Sequence, residues 1–230
     1  MMGKRLLVLL LSAIAGSANA APLIVVEARG IAIKPGTVLD STRPLTLKQG
    51  QHVTLISESG STLKFDGPYD RLPTAQGGSG VDLSRTLGVM VSQRQARSGE
   101  FGTTRGAPLA ALPDPWLIDV TRSGSSCLGE GREPVFWRPS STTDAKLAIT
   151  PVDRSWMAQS EWPAGSERLT VTTDVPMRAG ETYIITFNGV DHAVTIVPVP
   201  AVLSTDAMRT AWMADKGCES QAQALQAQGK

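Results

Sequence analysis

Histidine, cysteine and closely paired carboxylates build most catalytic and metal sites, and this chain holds few of them. Its two histidines, His52 and His192, fall in separate strand-like runs. A serine hydrolase needs a base beside its nucleophile, and no GxSxG motif is present to supply the nucleophile. Zinc or copper wants several His or Cys close together, whereas Cys127 and Cys218 are the only cysteines and lie far apart. Glu133, Asp153, Glu161 and Glu181 are carboxylates of the kind that cleave glycosides in pairs. Their positions at strand ends and turns are those of ordinary surface acids. The glycine stretches Gly77-Gly78-Ser79-Gly80 and Gly99 to Gly106 do not sit between a strand and a helix with phosphate-loop spacing. No catalytic residue, metal or cofactor is expected, and the chain reads as a non-enzyme.

Tryptophan is the other residue type with a message. Trp137 belongs to a strand-like run and is expected in the core. Trp156 and Trp162 flank loop-like residues, Met157 to Ser160 and Pro163 to Gly165. They are the candidate binding residues, since an exposed tryptophan stacks on sugars or anchors a partner protein.

The first twenty residues set the compartment in which these side chains would work. Lys4 and Arg5, the apolar run Leu6 to Ala15, and the small residues Ala18 and Ala20 follow the order of a secretory signal. The run is too short to span a bilayer, which places the start of the mature chain at Ala21 and the protein in the periplasm, with secretion as the alternative. Removing Lys4 and Arg5 leaves 20 basic against 21 acidic residues. Such a balance gives no concentrated positive field for phosphate backbones, so nucleic acid is not an expected partner, and no later segment is apolar enough to embed in a membrane. In an oxidising compartment Cys127 and Cys218 read most simply as a structural disulfide, with free thiols or intermolecular bridges as the alternatives.

The elements that must position these residues read as mainly β. Residues 21–75 hold short strand-like runs broken by turns: LIVVEA, TVLD, Leu45 with Leu47, HVTLIS and STLKF, the last two joined at Ser59-Gly60 as a hairpin. In HVTLIS the alternation is imperfect, which suits a strand covered on both faces. Residues 76–115 read as a glycine boundary, a helix over 81–95 with Leu83, Leu87, Met90 and Val91 on one face, and a flexible linker. Residues 116–202 carry WLIDV, VFWRP, KLAIT, RLTVTTD, ETYIITF and HAVTIVPV at roughly ten-residue intervals, the pattern of a β-sandwich. Residues 203–230 read as a helical tail. Ser204 or Thr205 caps a first helix with Met208, Ala211 and Trp212 on one face, Gly217 stops it, and a second helix runs from Cys218 through Leu225.

Two stretches carry a resemblance. TLKQGQHVTLISESGSTLKFDGPY resembles the N-terminal β unit of FecR-like periplasmic proteins, and PVFWRP followed by MRAGETYIITF resembles an immunoglobulin or fibronectin-type sandwich. The whole arrangement is similar to uncharacterised exported proteins of proteobacteria. The resemblance implies location and architecture rather than an activity. The chain lacks the membrane helix and cytoplasmic part of a true FecR regulator. The function expected is a periplasmic, non-catalytic binding or scaffolding module of the cell envelope with an envelope protein as partner. The alternatives are a carbohydrate or cell-wall binder using its tryptophans, and a hydrolase.

Overall fold

The computed structural model describes residues 21–73, 79–81, 111–171 and 177–229. The expected signal over 1–20, the helix beyond Val81 and most of the linker lie outside these residues.

The N-terminal unit is a sheet in the order β2-β1-β4-β5-β7, formed by β1 (Pro22–Arg29), β2 (Val38–Asp40), β4 (His52–Ile56), β5 (Thr62–Asp66) and β7 (Ser79–Val81). A small pair, β3 (Leu45–Leu47) and β6 (Tyr69–Arg71), lies apart from it in hydrogen bonding. Successive residues of a strand point to opposite faces. Leu23 and Val25 of β1 accordingly join Val53, Leu55, Leu63 and Phe65 beneath Leu45 and Leu47. Ile24 and Val26 point the other way, and with Ile56 they enter a different cluster built around the C-terminal helices. Cover on both faces explains the continuous LIVV run and the imperfect alternation of β4. Ser79 and Gly80, at the end of the glycine stretch, pair with Lys64 and Leu63 in the sheet.

The second unit is a β-sandwich. Its larger sheet has the order β12-β11-β14-β15-β9, from β9 (Gly124–Gly129), β11 (Ala145–Pro151), β12 (Ala158–Trp162), β14 (Thr182–Phe187) and β15 (Val190–Val199). The smaller sheet, β13-β10-β8, comprises β8 (Leu117–Asp119), β10 (Val135–Trp137) and β13 (Arg168–Thr170). Between them lie Ile118 and Phe136 from the small sheet and Leu147, Ile149, Ile185, Val194 and Ile196 from the large one. The pairs β15–β9 and β10–β8 are parallel and the other pairs antiparallel.

The tail forms α1 (Asp206–Asp215) and α2 (Glu219–Gln228). Thr205 is the N-cap of α1, its hydroxyl accepting from Met208 N, and Gly217 at φ +80° ends the helix as the sequence predicts. The two helices join the units. Met208, Ala211, Trp212 and Met213 pack with Ile24, Val26 and Ile56 of the first unit and with Cys127 and Val199 of the second. Ala224 of α2 reaches the outer face of the small sheet at Leu117 and Trp137. Polar contacts fix the same joint. The β1–β4 register shifts between Val25 and Glu27, and the intervening Val26 carbonyl accepts a hydrogen bond from Lys216 Nζ at 3.0 Å. Thr205 Oγ1 donates to Glu58 O at 3.0 Å.

Gly60, in the β4–β5 hairpin, lies against α1 at this joint. A Cβ there would stand 2.7 Å from the Ala207 carbonyl oxygen, and the residue has φ +80°. Gly50 has φ +79° but open space around it. Gly60→Ala is therefore expected to cost more than Gly50→Ala, by about 1–2 kcal/mol, because both pay for a left-handed backbone and only Gly60 must also move the hairpin off α1. Thermal unfolding of the two variants side by side measures the difference.

Candidate functional site

The Cys127–Cys218 disulfide forms, with both sulfurs buried. Beside it sits Gln221 of α2, only 3% exposed. Its Oε1 accepts from Cys127 N at 2.5 Å, and its Nε2 donates to Cys127 O at 2.7 Å and to Leu117 O at 3.3 Å. One amide side chain thus occupies the N–H and C=O of edge strand β9 as a neighbouring strand would, and it ties β8 to the same helix. Arg122 extends the stitch, pairing with Asp119 at 2.6 Å and donating to Ser220 Oγ at 2.9 Å. A polar cleft of about 300 Å³ opens here, lined by Ser123, Ser125, Ser126 and Gly217 among others. Its lining residues include serine hydroxyls and the carboxylates Asp119 and Glu219, and no histidine.

Among the described residues neither histidine is hydrogen-bonded to a serine, threonine or cysteine side chain. His52 is bonded to Asp66 across the β4–β5 pair on an exposed face, and half-buried His192 has no side-chain hydrogen bond among the described residues. Glu133, Asp153, Glu161 and Glu181 are exposed. No group of three or more His, Cys, Asp or Glu is gathered as metal donors among the described residues.

The tryptophans separate by environment. Trp137 is buried against Leu117. Trp162 is 0% exposed, because the segment after Met157 is not a loop but strand β12, whose last residue turns into the sandwich core. Arg138 lies over its ring at 5.0 Å, and Phe187 meets it edge-on. Trp162 therefore presents no surface to a ligand. Trp156 differs: it is half-buried at the end of the sandwich, with its ring centroid 5.9 Å from that of Tyr183.

The surroundings of Trp156 expose large apolar side chains. The connection between β11 and β12 places Val152 at 62% and Met157 at 61% exposure on either side of it. These are the two most exposed large apolar side chains among the described residues. The tip is braced from within. Arg154 N donates to Pro151 O at 2.9 Å, Arg154 adopts φ +54°, and the Asp153 carboxylate accepts from both the backbone and the hydroxyl of Ser155. Beneath it the Tyr183 hydroxyl accepts from Arg178 N at 2.7 Å and donates to Glu181 Oε2 at 2.9 Å. Burial pushes the Tyr183 phenol above its ordinary value, with the Arg178 amide opposing and Glu181 adding to the shift, so the hydroxyl keeps its proton as donor. The arrangement offers a fixed apolar contact with charged groups around it.

The Ser155 backbone N–H, then its hydroxyl, hold the Asp153 carboxyl below the ordinary aspartate value of 3.8. Because the folded value is the depressed one, the turn's contribution is complete above the unfolded pKa and is lost as pH falls through the folded one. An NMR titration of the Asp153 carboxyl is expected to show a midpoint below 3.8, moving back up in Ser155→Ala.

A second concavity, a groove of about 630 Å³, runs between the units, lined by Pro35, Leu128, Met177, Ile196, Pro200 and Val202 among others. No protein-family model, curated protein or solved structure matches this chain.

The Trp156 tip was half legible. The tryptophan and its turn residues are visible in the sequence, but the exposure of Val152 and Met157 is not, since apolar residues next to a strand look like core.

Proposed function

We propose that the chain is an exported, non-catalytic adaptor of the cell envelope that binds a protein partner through the β11–β12 tip. The observation that carries this reading is the pair Val152 and Met157, held in water on either side of Trp156 by a turn whose geometry is already set. Exposed apolar side chains contribute to binding most when little ordering remains to be done on contact. Aromatic, methionine and arginine side chains are the types that protein interfaces favour, and Trp156, Met157, Arg154 and Arg178 supply all three. Charges of both signs at the tip, Asp153 and Glu181 with Arg154 and Arg178, suit a protein surface better than an anionic lipid one. The buried disulfide supports a location outside the cytoplasm, where such bonds persist, and it agrees with the leader-like first twenty residues. Stacking on sugars would require a row of exposed aromatic faces, and the tip has one half-buried ring.

The test is photo-crosslinking in cells from an aromatic crosslinking residue at position 152 of the exported protein. A discrete protein adduct is expected, with its yield falling about tenfold in Met157→Asp while the melting temperature stays put. Absence of any protein adduct, together with retention of the purified protein on peptidoglycan or polysaccharide, would replace this reading with the cell-wall binder.

A further inference from the structure

Of the seven methionines in the chain, Met208 and Met213 are sealed in the core at 0% exposure and Met177 is half-buried. Met157 stands in solvent, and its sulfur has a polar neighbour: Gln159 Nε2 donates to Met157 Sδ at 3.5 Å. Met157 immediately precedes β12 and Gln159 is its second residue, and the hydrogen bond shows that the two side chains lie together. We infer that Met157 is an oxidation site, its thioether converted to the sulfoxide by hydroperoxides, with the Gln159 amide receiving the new oxygen.

The chemistry needs only the oxidant. A sulfur lone pair attacks the terminal oxygen of the hydroperoxide, and the S–O bond forms as the O–O bond breaks. The proton on the transferred oxygen passes to the departing one, which leaves as water when the oxidant is hydrogen peroxide. Sulfur loses two electrons and the peroxide gains them. A thioether sulfur is a weak acceptor, whereas a sulfoxide oxygen is a strong one. The Gln159 N–H is thus better matched to the product, and to the S–O dipole that grows toward it, than to the starting methionine. Its place in β12, paired through its backbone with Ala148, holds the donor where the oxygen arrives.

The product changes the character of the tip. A flexible apolar side chain becomes polar and chiral in the middle of the Val152–Trp156–Met157 surface. If the docking role proposed above holds, oxidation weakens the contact and a methionine sulfoxide reductase restores it; the modification itself does not rest on that role.

The experiment treats the folded, disulfide-intact protein with hydrogen peroxide near neutral pH and follows each methionine by peptide mass spectrometry. Met157 is expected to gain one oxygen at least about tenfold faster than Met208 and Met213, in keeping with its exposure. Gln159→Leu is expected to slow Met157 about two- to threefold and leave Met177 unchanged, as loss of a specific donor requires. Met157 reacting no faster than the core methionines, or an unchanged Met157 rate in Gln159→Leu, overturns the proposal. Crosslinking from position 152 with the oxidised protein separates the two readings. An adduct as strong as that of the untreated protein, with Met157 fully converted, counts against docking at Met157 and leaves the modification standing.

Discussion

Replacing Cys127 and Cys218 together by alanine is expected to lower the unfolding free energy by about 4 kcal/mol, seen as a lower urea midpoint than that of the parent protein. The two cysteines are 91 residues apart, so the bond removes a large loop from the unfolded ensemble. Alanine is the informative replacement, because both positions are buried and a serine hydroxyl would add the cost of an unpaired polar group. The site of the loss matters as much as its size. Cys218 is the N-cap of α2 and opens directly from the α1 stop, while Cys127 lies on edge strand β9. Without the bond, the tail keeps the Gln221 amide, the Asp119–Arg122–Ser220 chain, the Trp212 Nε1 hydrogen bond to Pro198 O and apolar contacts to hold it to the sandwich. Since α1 also carries the face on which Ile24, Val26 and Ile56 rest, loosening the tail loosens the N-terminal unit with it. Amide exchange is therefore expected to rise first in α1 and α2 and next in β1 and β4, with β11 and β14 protected longest. A uniform rise across all of these elements would mean that the tail and the sandwich unfold as one unit.

The parts of this architecture that show in the sequence are those where local chemistry and tertiary environment agree. LIVV reads as a strand because it is buried on both faces, and the Thr205 cap and Gly217 stop announce α1 because capping needs those residue types wherever a helix ends. β9 is GSSCLG and β12 is AQSEW, and neither looks like a strand. Both are strands because of what lies beside them. β9 is paired along its length with β15 on one side and is capped at Cys127 by a glutamine far along the chain on the other, and β12 rests on β11. β propensity reflects neighbours of this kind more than the backbone itself, so a poor local signal is overridden. The misplacement of Trp162 follows from the same cause. Once Met157 to Ser160 is taken for a loop, the alternation that turns Trp162 inward is lost. Gln221 was equally hidden, since a glutamine in a glutamine-rich tail looks like an outer-face residue until the edge of β9 is placed against it.

Arg138→Met is expected to destabilise the protein by about 3–5 kcal/mol, a loss on the scale of the disulfide's, although the side chain lies in no site. Arg138 is 2% exposed and has no carboxylate partner among the described residues. Its charge is met by three backbone carbonyls: Nε donates to Ser166 O at 3.0 Å, Nη1 to Thr143 O at 2.9 Å and Nη2 to Pro163 O at 2.8 Å. The face of the guanidinium lies over Trp162. These carbonyls come from the two loops that flank β11 and β12, so one side chain gathers the connections at that end of the sandwich over the tryptophan they cover. Methionine keeps the length and the apolar stem but leaves the carbonyls without a donor, and each costs about 1–3 kcal/mol where water cannot replace it. Lysine keeps the charge, yet an ammonium cannot present the planar fork that reaches three divergent acceptors while stacking on a ring. Arg138→Lys is therefore expected to recover less than half of the loss. Equilibrium unfolding of the two variants measures both numbers. Full recovery with lysine would mean that charge alone holds the loops, and a methionine variant within about 1 kcal/mol of the parent would mean that water reaches the carbonyls.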